Sequence, residues 1–225
     1  MSNIVSISGG KDSTAMLLRM IKEGIKIDRI LFADTTLELP ETYEFIKKLS
    51  NYCIKKIGIK ITTLSVGTRT WDYYFYKIIK TGKYKGNIRG FPKVTFKCWW
   101  QRDCKNKLLS KRIGKYDKSF IGIAVDEPKR IKEGTNQVYP LVEWAMTEQD
   151  CYDYCKEKGW LNPVYELYGF KRLGCWLCPK QPKRELLIIK EHYPKLWSKL
   201  LKYESDCPHG FKPNFKLKEL LGEGE

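Results

Sequence analysis

Apolar positions in the first third of the chain follow two alternating rhythms. Short runs from Ile4 to Ser8, Ile27 to Ala33 and Ile59 to Val66 read as buried strands. Between them, Ala15, Met16, Leu17, Leu18 and Ile21 recur at helical spacing, as do Tyr43, Phe45, Ile46 and Leu49 behind a helix-opening Pro40. Ser119 to Val125 is a fourth buried-type run. Strands alternating with helices at this spacing predict βαβ units, hence an α/β fold with a parallel sheet and right-handed crossovers.

The rhythm is lost between Thr68 and Pro92, where Tyr, Trp, Lys and Gly crowd together, and this stretch is expected to be a helix followed by a mobile basic loop over a site. Thr147-Glu148-Gln149-Asp150 forms a capping-box pattern opening a helix that runs to about Lys158. After Asn162-Pro163 the chain turns towards Gly174-Cys175-Trp176-Leu177-Cys178-Pro179. Two short helices divided at Pro194 close the chain, with Leu186, Leu187, Ile189, Leu196, Trp197, Leu200 and Leu201 as buried faces. The expected organisation is an α/β domain of residues 1–145 and a helical, CxxC-bearing region of residues 146–225 packed on it.

Composition narrows the class. At 42% hydrophobic and 13% aromatic, the 225 residues are too apolar for a disordered polycation. No window approaches a membrane span, and Met1 leads straight into a polar Gly-rich turn, so a cytoplasmic protein with no membrane partner is expected. In that compartment the eight Cys call for metal, catalysis or burial rather than disulfides. The 42 Lys and Arg outnumber the 26 Asp and Glu by 16, which calls for an anionic partner, a phosphorylated small molecule or a nucleic acid.

The most specific string is Ser8-Gly9-Gly10-Lys11-Asp12-Ser13, placed between a strand and a helix. Two glycines let the backbone curl round an anion, while the helix-start N–H groups and dipole favour its charge. Lys11 adds a cation, and Ser8 and Ser13 add hydroxyls. Asp12 would repel a phosphate unless a divalent metal or a proton lay between them, so the turn suggests a nucleotide with Mg²⁺. It lacks the four residues that a Walker loop places between its glycine and Gly-Lys.

This string resembles the PP-loop of the adenine nucleotide alpha-hydrolase superfamily. Phe32 to Thr42, Gly122 to Arg130, Tyr139-Pro140-Leu141 with Trp144, Asn162 to Tyr165 and Gly174-Cys175 follow in the order of its phosphoadenosine phosphosulfate (PAPS) reductase family. The resemblance covers roughly residues 3 to 180. It implies a Rossmann-like sheet with helices on both faces, and ATP or an adenylated sulfate as nucleotide. It also implies nucleotide-binding roles for Ser8, Gly9, Gly10, Lys11, Asp12, Ser13, Asp34 and Thr35, and catalytic roles for Lys11, Asp12 and Arg130. Asp34 suits a ribose or adenine donor or a metal, and Arg130 suits a phosphate or sulfate clamp. Asp126 and Glu127 fit either a solvated turn or the site.

Cys175-x-x-Cys178 has the spacing by which two thiolates reach one metal or cluster. The natural second pair is Cys98 and Cys104, set among Lys97, Arg102, Lys105, Lys171 and Arg172. A [4Fe-4S] cluster on these four thiols is expected, with structural Zn or a redox dithiol as alternatives. Cys53, Cys151 and Cys155 read as small buried hydrophobes. Cys207, in Asp206-Cys207-Pro208-His209, reads as a tail residue, with a lowered-pKa nucleophile as the competing reading.

The leading functional expectation is an ATP-dependent, adenylating, pyrophosphate-releasing sulfur-transfer enzyme. A sulfur-donor protein would supply it, and tRNA or DNA would accept at the basic run from Lys77 to Lys97. The alternatives are a PAPS or adenylyl-sulfate reductase producing sulfite through Cys207, and a non-enzymatic nucleotide-sensing or nucleic-acid-binding subunit.

Overall fold

The computed structural model describes residues 1–67, 70–132 and 134–221. They form two compact units, one of residues 1–34, 38–65 and 104–173 and a second of residues 35–37, 66–103 and 174 onward. The strands are β1 (Asn3–Ile7), β2 (Arg29–Ala33), β3 (Ile61–Leu64), β4 (Lys118–Ile121) and β5 (Gln137–Val138). The helices are α1 (Lys11–Lys22), α2 (Pro40–Ile57), α3 (Trp71–Phe75), α4 (Trp99–Gln101), α5 (Lys107–Ser110), α6 (Pro140–Glu143), α7 (Glu148–Glu157), α8 (Pro163–Tyr168), α9 (Lys183–His192) and α10 (Pro194–Asp206).

All five strands belong to the first unit, in the order β3-β2-β1-β4-β5, with every neighbouring pair parallel. Side chains alternate between the faces, as strand geometry requires. Val5, Ile30 and Phe32 pack with Met16, Leu17, Phe45 and Leu49, whereas Ile4, Leu31 and Leu64 pack with Leu108, Leu109 and Ile113 on the other side. The expected α/β sheet is present, with helical residues on both faces.

β4 ends four residues before the apolar run does. Beyond Ile121 the Ile123 N–H turns back to the Ile121 carbonyl at 3.0 Å, and the Val125 N–H bonds to Met146 O at 2.9 Å. The sequence did not predict β5, whose two residues are too short for a periodic signal. α7 and α8 were expected in a C-terminal region. They lie in the first unit instead, packing on α1 and α2 respectively.

In the second unit, Trp71 packs against Phe75, Phe91, Trp99, Trp100 and Tyr203 at centroid separations of 5.3–6.1 Å. Of the stretch expected to be helix and basic loop, residues 68 and 69 lie outside the described residues. The rest forms α3, then a loop tied by an antiparallel bridge between Ile78 and Ile88. α9 and α10 divide at Pro194, with Leu186, Ile189, Trp197 and Leu200 buried and Leu187, Leu196 and Leu201 half-buried. Among the described residues, no helix is long and apolar enough to cross a membrane.

Candidate functional site

The PP-loop string closes the gap between β1 and α1 as a hydroxyl-laced turn. Gly9 adopts φ +76°, which only glycine takes without strain, and an added Cβ there would press within 3.1 Å of Thr42. The Ser8 N–H donates to Ser13 Oγ at 3.1 Å, and Ser13 Oγ donates to the Gly10 carbonyl at 3.1 Å. The buried Asn162 amide donates to the Gly9 carbonyl at 3.1 Å, while its oxygen caps α8 by accepting from the Val164 N–H at 3.1 Å. Gly10 is the N-cap of α1 and offers no capping side chain. The Lys11 N–H donates to Tyr165 Oη at 3.2 Å, so a phenol occupies one of the helix-start donors. Cys155 donates its thiol to the Lys11 carbonyl at 3.3 Å.

Beside this turn, Asp12, Glu127 and Glu148 bring one carboxylate oxygen each within 4.8 Å of one another. Three cations balance them. Lys11 Nζ lies 2.7 Å from Asp12 and 3.7 Å from Glu148. Arg172 lies 3.3 Å from Glu127 and 3.1 Å from Glu148, and Arg130 pairs with Glu127. Burial raises the Asp12 pKa above the usual carboxylate value even though Lys11 bonds it. Glu127 is held below the usual value, because Arg130 and Arg172 outweigh the cost of its burial. An all-carboxylate oxygen set of this span fits a hard divalent cation such as Mg²⁺, and Lys11, Arg130 and Arg172 fit phosphate oxygens.

The predicted residues Ser8, Gly9, Gly10, Lys11, Asp12, Ser13 and Arg130 therefore fall together in the first unit, and Glu127 joins them. Asp126 instead accepts the Glu148 N–H at 3.1 Å, helping to fix the start of α7. Asp34, after β2, accepts from Tyr43 Oη at 2.9 Å. Thr35 is buried in the second unit, where its hydroxyl lies 3.6 Å from Cys175 Sγ. Glu148 was read from sequence only as part of a capping box. That box is formed by Thr147 and Asp150, which leaves Glu148 free to face Lys11. Arg172 was expected beside the cysteines, but the structure pairs it with the carboxylates.

Among the candidate metal ligands, Cys98 is the N-cap of α4, and its sulfur accepts from the Gln101 N–H at 3.4 Å. The Cys175–Cys178 turn is closed by the Cys178 N–H donating to the Cys175 carbonyl at 2.9 Å, and it is anchored by the Trp176 N–H on Leu37 O at 2.9 Å. Burial pushes the Cys178 thiol up and the nearby Cys98 adds to this, while the Lys180 N–H favours the thiolate. These three thiols are in the second unit. Cys104 is fully buried in the π-helical turn Arg102–Asn106 and is the first residue of the 104–173 segment of the first unit. Cys53, Cys151 and Cys155 are fully buried, and burial pushes the Cys53 thiol to about 11 and that of Cys155 to about 12.

Cys207 departs from the tail expectation. It is buried at the end of α10, with Sγ 3.6 Å from His209 Nδ1. Burial works to raise its pKa, yet the His209 contact and the Phe91 N–H bring the thiol below its ordinary value. Its thiolate in turn raises His209. Gly90, at φ +65°, makes this approach possible, since a Cβ there would sit 2.5 Å from Cys207 Sγ.

Comparison with known proteins agrees with this architecture. Residues 2–181 match the family described as the phosphoadenosine phosphosulfate reductase domain. Two relatives from Methanocaldococcus jannaschii are named Uncharacterized protein MJ0973 and Uncharacterized protein MJ0066. MJ0973 is 27% identical over 86% of this chain and 45% of its own length, and MJ0066 is 32% identical over 87% and 40%. The chain thus spans less than half the length of these curated relatives. A crystal structure of PAPS reductase from Candida auris in complex with phosphate superposes with a TM-score of 0.51 at 16% identity, covering 78% of this chain and 82% of that one.

Proposed function

Because the chain belongs to the phosphoadenosine phosphosulfate reductase domain family, we propose that it is an enzyme of activated-sulfur chemistry that uses ATP and releases pyrophosphate. The observation that carries this reading is the Asp12–Glu127–Glu148 carboxylate set at the mouth of the PP-loop. Cleavage of ATP between the α and β phosphates leaves a pyrophosphate whose charge a divalent cation must meet. A thiol attack on the sulfur of an adenylated sulfate leaves AMP and makes no such demand.

In the proposed reaction, an acceptor oxygen attacks the α-phosphorus, the bond to the bridging oxygen breaks, and pyrophosphate departs with that electron pair. A sulfur nucleophile then displaces AMP from the activated carbon of the acceptor. Lys11 and the turn amides offset charge on the departing pyrophosphate. Arg130 and Arg172 exchange their carboxylate partners for phosphate oxygens. Asp12, Glu127 and Glu148 would hold Mg²⁺, and Asp34 would meet the ribose or adenine. Cys98, Cys175 and Cys178 would hold an iron–sulfur cluster, or zinc in its place. A bound cluster would supply a site for holding or delivering sulfur.

The test is pyrophosphate release from ATP with Mg²⁺ and sulfide, with RNA or DNA supplied as the acceptor. Glu148→Gln should lower the rate by roughly a hundredfold or more, as loss of several kcal/mol of charge stabilisation requires. Metal-independent turnover, or a fully active Glu148→Gln protein, contradicts the reading.

The Cys207–His209 contact favours one second reading, an adenylyl-sulfate or PAPS reductase. The Cys207 thiolate would attack the substrate sulfur, displace the nucleotide and form a protein S-sulfonate, from which a second thiol releases sulfite. Cys207→Ser abolishes sulfite release under this reading, and leaves pyrophosphate release intact under the first.

A further inference from the structure

The second unit contains a cavity of about 300 Å³ that the nucleotide chemistry does not use. Its lining combines rings and cations: Tyr84, Phe96 and Trp99 with Arg89, Lys93 and His209. Phe96 and Tyr84 are 67% and 48% exposed, so both rings can be reached from solvent. Two of the cations already sit over rings, Arg89 at 4.0 Å from the Trp99 centroid and Lys93 at 4.3 Å from that of Tyr84. His209 is held in the wall from behind, where Cys207 lies 3.6 Å from its Nδ1.

The chain that builds most of this cavity, from Lys77 to Lys97, carries six Lys and Arg89 without a single Asp or Glu. Rings offer a base a stacking surface regardless of its identity, and clustered cations follow a phosphate backbone. The cavity volume sits at the lower end of the small-molecule range of about 300–1,000 Å³, which suits one base with its sugar. Seven positive charges on one segment far exceed what a lone nucleotide neutralises, so a polymer is the better match.

We propose that this cavity receives a base of single-stranded nucleic acid whose backbone runs along the Lys77–Lys97 segment. The inference deepens the sulfur-transfer reading by naming the chemical class of the acceptor. Strand binding is measured without ATP, so it can fail while pyrophosphate release succeeds, and the reverse.

The test is fluorescence anisotropy with a labelled single-stranded oligonucleotide of about 15 nucleotides, near the upper site size of single-strand binders. Phe96→Ala and Tyr84→Ala should each weaken binding by about 5- to 100-fold, the value of one lost base stack, with little change in salt slope. Lys93→Ala and Lys97→Ala should each lower the slope of log affinity against log salt by about 0.7. Exposed Lys115, on a turn of the first unit, is the control, and Lys115→Ala should leave both quantities unchanged. Phe96 is exposed, so its variant keeps its fold, and an unchanged melting temperature verifies this.

Three results overturn the proposal. One is no saturable binding at about 50 mM salt, where phosphate contacts are strongest. Another is equal loss from Lys115→Ala and Lys93→Ala with no loss from the ring variants, which means undirected surface charge. The third is competition by AMP at the same nucleotide concentration as the strand, which means a mononucleotide site.

Discussion

Gly122→Ala should distort the phosphate turn from behind without replacing any residue that binds. A Cβ at position 122 would lie 2.7 Å from both the Cα and the amide nitrogen of Ser13, and 2.9 Å from the Asp12 carbonyl carbon. All three are backbone atoms of the first turn of α1, so no rotamer change relieves the clash. Carbon atoms rest at about 3.5–4.0 Å, so β4 and α1 must part by roughly 1 Å. Overpacking of this kind costs about 1–3 kcal/mol, and the stiffer unfolded chain of an alanine returns about 0.4–1 kcal/mol. A net loss of up to about 2.6 kcal/mol lowers the melting temperature by up to roughly 10 °C in a chain of this size. Gly174→Ala is the matched control, because a Cβ there meets nothing within 4 Å. Scanning fluorimetry and urea titration with and without ATP and Mg²⁺ read the result. Gly122→Ala should lower stability and shrink the ATP-induced shift, whereas Gly174→Ala should leave that shift unchanged and raise stability by about 0.4–1 kcal/mol. If Gly122→Ala melts with the unaltered protein and keeps the full ATP shift, the close packing of β4 on the turn does not shape the site.

Other substitutions follow from the same geometry. Asn162→Ala removes the donor to the Gly9 carbonyl and the cap of α8, and should cost about 1–3 kcal/mol in urea titrations, since it strands buried polar groups. Asp12→Asn should act in opposite directions on two readouts. Burial raises this carboxyl, so its ionised form costs the folded state stability at neutral pH; the amide should therefore raise the melting temperature without ligand while abolishing Mg²⁺-dependent ATP binding. Asp28, Asp117 and Asp150 are each held below 3.8, the first two by backbone N–H groups and the third by Thr147. The stability they contribute is present above that value and is lost as pH falls through the lower folded values, so Asp117→Asn should flatten the acid limb of a stability–pH curve. Cys178→Ala should reduce the iron or zinc retained after anaerobic purification, while Cys53→Ala should leave it unchanged.

What the sequence made legible was local. The strand and helix rhythm, the Gly9-Gly10 turn, the Thr147–Asp150 box and the break at Pro194 each rest on residues a few positions apart, where dihedral preference and side-chain reach act directly. What it concealed depends on distant partners. Tyr165 meets Lys11 across 154 positions, and Arg172 reaches Glu127 across 45, contacts that no spacing rule encodes. Glu148 was hidden for a different reason, since its place in a good helix start seemed to explain it fully. Cys207 looked like a tail thiol because its cover comes from Gly90 and Phe91, far away in the chain.

The position of β1 has a consequence for how the protein is made. It is the middle strand of the finished sheet, pairing Ile4 with Arg29 on one side and Asn3 with Lys118 on the other. The first partner emerges soon after β1, but the second is 115 residues further on, which at synthesis rates of about 5–20 residues per second is a delay of roughly 6 to 23 s. Throughout that interval β1 is an open edge, with the backbone groups that will bond β4 available to any other strand. The central strand of the mature sheet is thus an exposed edge on the ribosome, and chaperone demand should end when β4 docks.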